Sequence, residues 1–277
     1  MTKWTPSFDG VTKNKVQKNE SKKMTKKSKN LGAALVTGAA KRIGREIALT
    51  LASQGYDIAI SYKKSAVEAK KLVQEIQKNF GVKCEIFCSD LSQENAAKKL
   101  AAEVLKKFPN LNLLVNNASL FSKSKFLAAP DNELMDNLSI HFISPLILAK
   151  EFAKNVAAKK IKNAKIINLL DKNITRFDTS YFYYLLSKKS LAELTKMLAL
   201  ELAPQIRVNA VAPGFILNSI DEKNPSQETK NLIKKIPLQS KGEIKNILQA
   251  IEFLLVNDFV TGQVLFIDGG ASLNHAG

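Results

Sequence analysis

The stretch Ala33-Ala34-Leu35-Val36-Thr37-Gly38-Ala39-Ala40-Lys41-Arg42-Ile43-Gly44 runs from a short apolar strand through a glycine turn into a helical pattern. Over residues 42–54, Ile43, Ile47, Ala48 and Leu51 recur at three- and four-residue spacing, giving one apolar face that must pack on a sheet. Gly38 permits the tight strand-to-helix turn, and Gly44 lets the helix approach the sheet closely. The helix N-terminus then offers free N–H groups and a positive dipole end to a pyrophosphate. A glycine turn alone is weak evidence. It gains weight here by standing at the first strand–helix junction of an alternating chain.

Outward from that junction, apolar β-rich runs alternate with helix-period segments. Strands are predicted near residues 33–37, 57–62, 83–88, 112–116, 164–170, 205–211 and 263–267, with helices between them. The pattern predicts an α/β fold, a doubly wound parallel sheet of Rossmann type, in a single domain over residues 31–277. Residues 215–240, with Asn218, Pro225 and Pro237 among charges, read as an excursion outside the sheet and a candidate substrate lid.

Composition sets limits. Apolar residues make up 45% of the 277, and no apolar run reaches the roughly 20 residues that span a bilayer. A cytoplasmic body with no membrane partner is expected. The net charge is +17, of which residues 1–30 hold +7 through nine lysines and two acids. That basic arm has no apolar period and is expected to be disordered and solvated. Binding of RNA through it is the rival of another class. Cys84 and Cys88 alternate onto one strand face and are expected to be buried free thiols, and with histidines only at 141 and 275 no metal site is expected.

The end of the second strand selects the cofactor. An acid there would bond the 2′-hydroxyl of NAD, whereas cations accommodate the 2′-phosphate of NADP. The chain reads Ser61-Tyr62-Lys63-Lys64-Ser65, and Asp57 begins the strand and so lies at the wrong end; NADPH is expected. After the third strand, Asp90 before Leu91 is placed either to bond an adenine amino group or to cap the next helix. Further on, Tyr184 and Lys188 are four apart and share a helix face. A nearby ammonium stabilises phenolate, so this pairing predicts a lowered tyrosine pKa and a proton donor near neutral pH.

Six motifs in order, the Thr37-Gly38 turn, Asp90, Asn116-Asn117-Ala118, Tyr184-x-x-x-Lys188, Pro213-Gly214 and Asp268-Gly269-Gly270, make the chain resemble the short-chain dehydrogenase/reductase family after residue 30. The resemblance implies that Tyr184 moves the proton, that Lys188 also holds the nicotinamide ribose, and that hydride passes between the nicotinamide and the substrate. It further implies a cofactor site of Gly38, Lys41, Arg42, Ile43, Tyr62, Lys63, Lys64, Asp90, Leu91, Asn117, Ala118, Lys188, Pro213 and Gly214, and a homotetramer.

Three departures from the commonest family pattern point to the substrate. Arg42 replaces the middle glycine of the turn; Asp171, thirteen residues before Tyr184, replaces the serine that polarises a carbonyl; His141, four before Pro145, replaces an asparagine. A carboxylate is a poor oxyanion donor, so Asp171 argues against simple ketone reduction and suits a ring nitrogen that must be protonated. With Asn117-Ala118-Ser119 and Phe121, these residues resemble the pteridine reductases, and His141 resembles their bacterial dihydromonapterin reductase branch. That likeness implies a dihydropterin held by Arg42, Ser119, Phe121, Asp171 and Tyr184, with Tyr184, Lys188 and Asp171 catalytic. His141 is expected to be structural rather than a base. The rival enzyme is a 3-oxoacyl or enoyl thioester reductase, the latter by the Tyr181-x6-Lys188 spacing.

Overall fold

The computed structural model describes residues 30–216 and 226–274. The basic arm up to residue 29, residues 217–225 of the expected excursion and His275 lie outside them. Seven strands, β1 Ala33–Val36, β2 Asp57–Tyr62, β3 Cys84–Cys88, β4 Leu111–Asn116, β5 Ala164–Leu169, β6 Ile206–Pro213 and β7 Val264–Ile267, form one sheet in the order β3-β2-β1-β4-β5-β6-β7. Every pairing is parallel. The chain winds one way from β1 to β3 and the other way from β4 to β7, so the sheet has a switch point between β1 and β4, where such sheets open a crevice.

Both faces are covered, which is why the strands read as apolar runs rather than alternating ones. The pleat divides β1: Ala34 and Val36 pack with Ile47, Leu51, Leu72 and Ile251 on one face, and Ala33 and Leu35 with Leu100, Val104, Leu148 and Phe152 on the other. The first face is covered by α1 (Arg42–Gln54), α2 (Ala66–Phe80) and α8 (Ile244–Val256), the second by α3 (Ala96–Lys107), α5 (Ser144–Lys159) and α6 (Phe182–Glu201). Helix α4 (Glu133–Leu138) joins α5 through a π-helical turn, Ser139–Ile143, and α7 (Gln227–Lys234) stands in the expected excursion. Among the described residues no helix is long and apolar enough to cross a membrane.

One expectation is corrected here. Both cysteines are free, but only Cys84 is buried. Cys88 is exposed because it is the last residue of the edge strand, where β3 runs out into the crevice, and its Sγ lies 3.6 Å from the Lys63 carbonyl.

Candidate active site

Thr37 ties the two halves of the sheet at the switch point. Its Oγ1 accepts the Asn117 and Ala118 amides at 2.9 Å each, and Asn117 Nδ2 donates back to the Thr37 and Gly38 carbonyls at 2.8 and 3.2 Å. Gly38 holds φ 64°, and a Cβ there would come within 2.9 Å of Ala118 Cα. A Cβ on Gly44 would fall 2.4 Å from Asn117 Nδ2 and break the same tie. Arg42 also sits in the left-handed region, at φ 53°, without being glycine. That costs on the order of 1–3 kcal/mol, strain of a kind that collects at functional sites. The Arg42 side chain is exposed, beside Lys41 and the half-buried Ile43 at the start of α1.

The crevice gathers Gly38, Tyr62, Lys63, Asp90, Leu91 and Ala118 of the residues singled out for the cofactor and Ser119 of those for the substrate, together with Ser61, Ser89 and Ile140. Ser61 was legible only in hindsight: its buried Oγ accepts the Gly38 amide at 3.3 Å. Lys63 Nζ lies 2.8 Å from Asp90, and Lys41 Nζ 2.7 Å from Glu68. Lys64 is exposed. Asp90 does not cap α3; it closes a turn by accepting the Ser92 amide and hydroxyl at 3.2 and 2.7 Å. Burial pushes its carboxyl up, but the bonds from Lys63 and Ser92 outweigh that, and its pKa is lowered. Asp57 is at the far end of β2, as expected, taken up by the Lys83 amide at 2.9 Å. Across the sheet, Gly214 and Asp268 meet where β6 and β7 end: a Cβ on Gly214 would lie 2.5 Å from Asp268 Cα.

The second cluster forms where β5 ends against α6. Asp171 follows β5 and caps a single 3-10 turn, Lys172–Thr175, its Oδ1 accepting the Asn173 amide at 2.8 Å. That leaves Oδ2 to accept the Tyr184 hydroxyl at 3.0 Å. Lys188, one turn along α6, donates to the Leu169 carbonyl at 2.7 Å with its Nζ 5.9 Å from the Tyr184 ring centroid. Phe121 is 63% exposed and stands edge-on to Tyr184, centroids 4.9 Å apart, while stacking on Tyr181 at 5.0 Å. Three of the residues the sequence singled out, Asp171, Tyr184 and Phe121, therefore meet at one point.

The electrostatics reverse one expectation. The Tyr184 pKa is raised, not lowered: burial dominates, the Asp171 charge and hydrogen bond add to it, and only a bond with Ser119 works the other way. The reason is geometric, since the carboxylate touches the phenol while the ammonium is spent on a carbonyl. Burial pushes Lys188 itself down to about 8, against a smaller upward pull from Asp171. Tyr184 is thus held as a loaded phenol at neutral pH.

His141 lies in the π-helical turn, a distortion that often marks functional positions. Its Nε2 accepts the Leu120 amide at 3.2 Å, so the ring proton is assigned to Nδ1, which donates to Ser187 Oγ at 2.8 Å. Ser187 passes its own proton to the Tyr184 carbonyl at 2.8 Å, and Ser119 Oγ is 2.9 Å from Nε2. Burial, with Lys188 adding, pushes His141 down to about 2, which leaves it neutral throughout the working range. Ser187 was missed from the sequence; its signal was its place three residues after Tyr184, on the same side of α6.

A parallel sheet wound in this order, with a glycine turn at the switch point and a tyrosine–lysine pair across it, defines a dinucleotide-dependent oxidoreductase of Rossmann type. The comparisons narrow the class. Residues 38–272 match the family model described as Enoyl-(Acyl carrier protein) reductase. The chain is 30% identical to the 3-oxoacyl-[acyl-carrier-protein] reductase FabG of Staphylococcus epidermidis, covering 86% of this chain and 98% of that one. It is 32% identical to the L-xylulose reductase of Cavia porcellus over 86% of this chain and 95% of that one. Among solved structures it is similar to FolM Alternative dihydrofolate reductase 1 from Brucella canis complexed with NADP, with TM-score 0.81, 30% identity and coverage of 91% and 98%. The chain belongs to the short-chain dehydrogenase/reductase family.

Proposed function

We propose that this chain is an NADPH-dependent dihydropterin reductase, taking a dihydromonapterin, dihydrobiopterin or dihydrofolate type of substrate to the tetrahydro form. The observation that carries this reading is the 3.0 Å hydrogen bond from Tyr184 to Asp171. Ketone reduction calls for a neutral donor beside the tyrosine to hold the developing oxyanion, and a carboxylate would repel it. A ring C=N bond takes hydride on carbon and a proton on nitrogen, so it needs a proton source, and a carboxyl–phenol pair is one. Likeness to the Brucella canis FolM structure supports the same substrate class. Likeness to FabG favours the second reading, a 3-oxoacyl thioester reductase.

The crevice fits NADPH. Gly38 lacks the Cβ that would strike Ala118, the α1 N-terminus lies beside it, and Lys63 and Lys64 supply cations for a 2′-phosphate. Lys41, Arg42 and Ile43 would hold the pyrophosphate side, Tyr62, Asp90 and Leu91 the adenosine, and Asn117, Ala118, Lys188, Pro213 and Gly214 the nicotinamide side. When bound, NADPH supplies the hydride. Tyr184 gives its proton to the substrate nitrogen, and a proton taken from solvent returns to the phenol oxygen by way of Asp171, whose carboxylate ends the cycle as it began it. Phe121 offers a flat face to the ring, with Ser119 and Arg42 at its polar edge. Exposed Leu186, Met197 and Leu200 on α6, and Phe253 and Val256 on α8, support a homo-oligomer, in keeping with the tetramer of the family resemblance.

Purified protein is expected to oxidise NADPH with dihydropterins at least about tenfold faster, in kcat/KM, than with acetoacetyl thioesters. The reverse preference would sink the pterin reading. Lys63→Ala is expected to raise the KM for NADPH by about tenfold and to leave that for NADH unchanged, because only the former carries the 2′-phosphate. Equal effects on both cofactors would remove Lys63 from that role.

A further inference from the structure

His141 is 1% exposed, carries a ring able to exchange protons, and has no task in the chemistry above. It stands in the π-helical turn Ser139–Ile143, which packs on α6, and its ring meets that of Tyr184 nearly at right angles, with centroids 5.4 Å apart. On one side of the ring lies the loop after β4, with Ser119 and Leu120; on the other lies the Tyr184–Ser187 turn of α6. Nε2 meets two donors, the Leu120 amide at 3.2 Å and the Ser119 hydroxyl at 2.9 Å.

A backbone N–H only donates, so the Leu120 contact leaves Nε2 without a proton. The Ser119 hydroxyl faces the same lone pair and donates as well, although one donor is enough to satisfy it. The ring proton falls to Nδ1, which donates to Ser187 Oγ at 2.8 Å, and Ser187 donates to the Tyr184 carbonyl at 2.8 Å, so the ring is fixed from behind. Burial, with Lys188 adding, holds it neutral. Ser119 is exposed in the crevice and has a second acceptor within reach, the Tyr184 oxygen: against the larger upward push of burial and of Asp171, its hydrogen bond pulls the phenol pKa down. As a phenol, that oxygen spends its own proton on Asp171 at 3.0 Å and is the weaker acceptor; as a phenolate it is the stronger.

We infer that His141 is a positioning residue for Ser119, holding the Ser119 hydroxyl on Nε2 while Tyr184 is a phenol and yielding it to the phenolate oxygen once Tyr184 has passed its proton to the substrate. No further covalent bond breaks. The Ser119 O–H stays intact and turns about the Cβ–Oγ bond, the hydrogen bond to Nε2 is exchanged for one to the Tyr184 oxygen, and the Leu120 amide remains to satisfy Nε2. Ser119 thereby stabilises a charge that exists only after transfer, the kind of contact that raises kcat rather than binding. When the phenol is reloaded, the hydroxyl returns. The asparagine of the commonest family pattern has no atom at the ε position, so the exchange needs the longer ring. Nothing in it depends on the pterin ring; it rests on the role proposed for Tyr184.

The full chain is assayed with NADPH and dihydrobiopterin, or with an acetoacetyl thioester if that proves the substrate. Ser119→Ala and His141→Asn are each expected to lower kcat about tenfold or more with NADPH affinity within about twofold, and the double variant to fall no more than about twofold below the worse single one. His141→Gln, which restores an acceptor at the ε position, should recover most of the loss, whereas His141→Asn keeps only the δ position that faces Ser187. Side-chain nitrogen-15 NMR spectra, simple with histidines only at 141 and 275, should show His141 as the neutral Nδ1–H tautomer, untitrated from about pH 5 to 9. Additive losses, or His141→Gln as damaging as His141→Asn, would reduce His141 to a packing role and overturn the proposal. So would an Nε2–H tautomer in the wild type, a result that needs no active variant. If the thioester and not the dihydropterin oxidises NADPH, the pterin reading falls while the same comparison of variants still decides the role of His141.

Discussion

Tyr184→Phe is expected to lower kcat for dihydropterin reduction by about 10²–10⁴-fold, the range supplied by one positioned acid, while NADPH affinity stays within about twofold. The change deletes one oxygen from a side chain that is 5% exposed and leaves the ring in place against Phe121 and His141. Asp171 keeps its bond from the Asn173 amide, so the turn it caps survives. What disappears is the hydrogen bond that links Asp171 to the point where Phe121 presents a face. Stopped-flow single-turnover rates separate this from a folding defect, because cofactor binding reads out the fold independently. Tyr181→Phe is the control: Tyr181 stacks on Phe121, and its loss of hydroxyl should cost less than about tenfold. If Tyr181→Phe were the lethal change and Tyr184→Phe the mild one, the proton would travel by the Tyr181-x6-Lys188 spacing of enoyl reductases.

What the sequence made legible, and what it hid, follows from the range of the forces involved. Each of the seven strands falls within two residues of its predicted ends, because a sheet buried on both faces writes itself as continuous apolar runs such as Ala33–Val36. Gly38 and Gly44 were readable because backbone approach excludes a Cβ at both. Tyr184 and Lys188 were readable because helical spacing is local. The sign of the Tyr184 shift was not, since it depends on which of two opposite charges touches the phenol, and that is set by the turn after β5. Lys63–Asp90 and the bond from Ser119 to His141 were likewise hidden, being assembled from segments that only the sheet topology brings together. Cys88 was misjudged because strand alternation gives a side chain its face but says nothing of where the edge strand ends.

Lys188→Met is expected to lower kcat by about 10²-fold or more and, at the same time, to make the protein more stable at neutral pH. Lys188 is 2% exposed and its pKa is pushed down to about 8 from 10.5 by burial. Between those values the unfolded chain binds a proton that the folded chain does not. Unfolding free energy therefore rises with pH across the window from about 8 to 10.5, and below about 8 the folded state bears the full cost of a buried charge, about 3 kcal/mol. Methionine removes that cost with little change in volume. It also removes the charge-assisted bond to the Leu169 carbonyl, at about 1.5–3 kcal/mol, so a net gain of up to about 1.5 kcal/mol remains. Urea denaturation at pH 7 and at pH 10 provides the measurement: the variant should be the more stable at pH 7, and the gap should narrow at pH 10 as the wild-type lysine loses its proton. A variant less stable at pH 7, with a gap indifferent to pH, would mean that the charge is compensated in the fold. A buried cation that weakens the fold is what the role proposed for Lys188 at Tyr184 and the ribose would require the chain to keep, and that role would tie the opposite signs of the two effects to one cause.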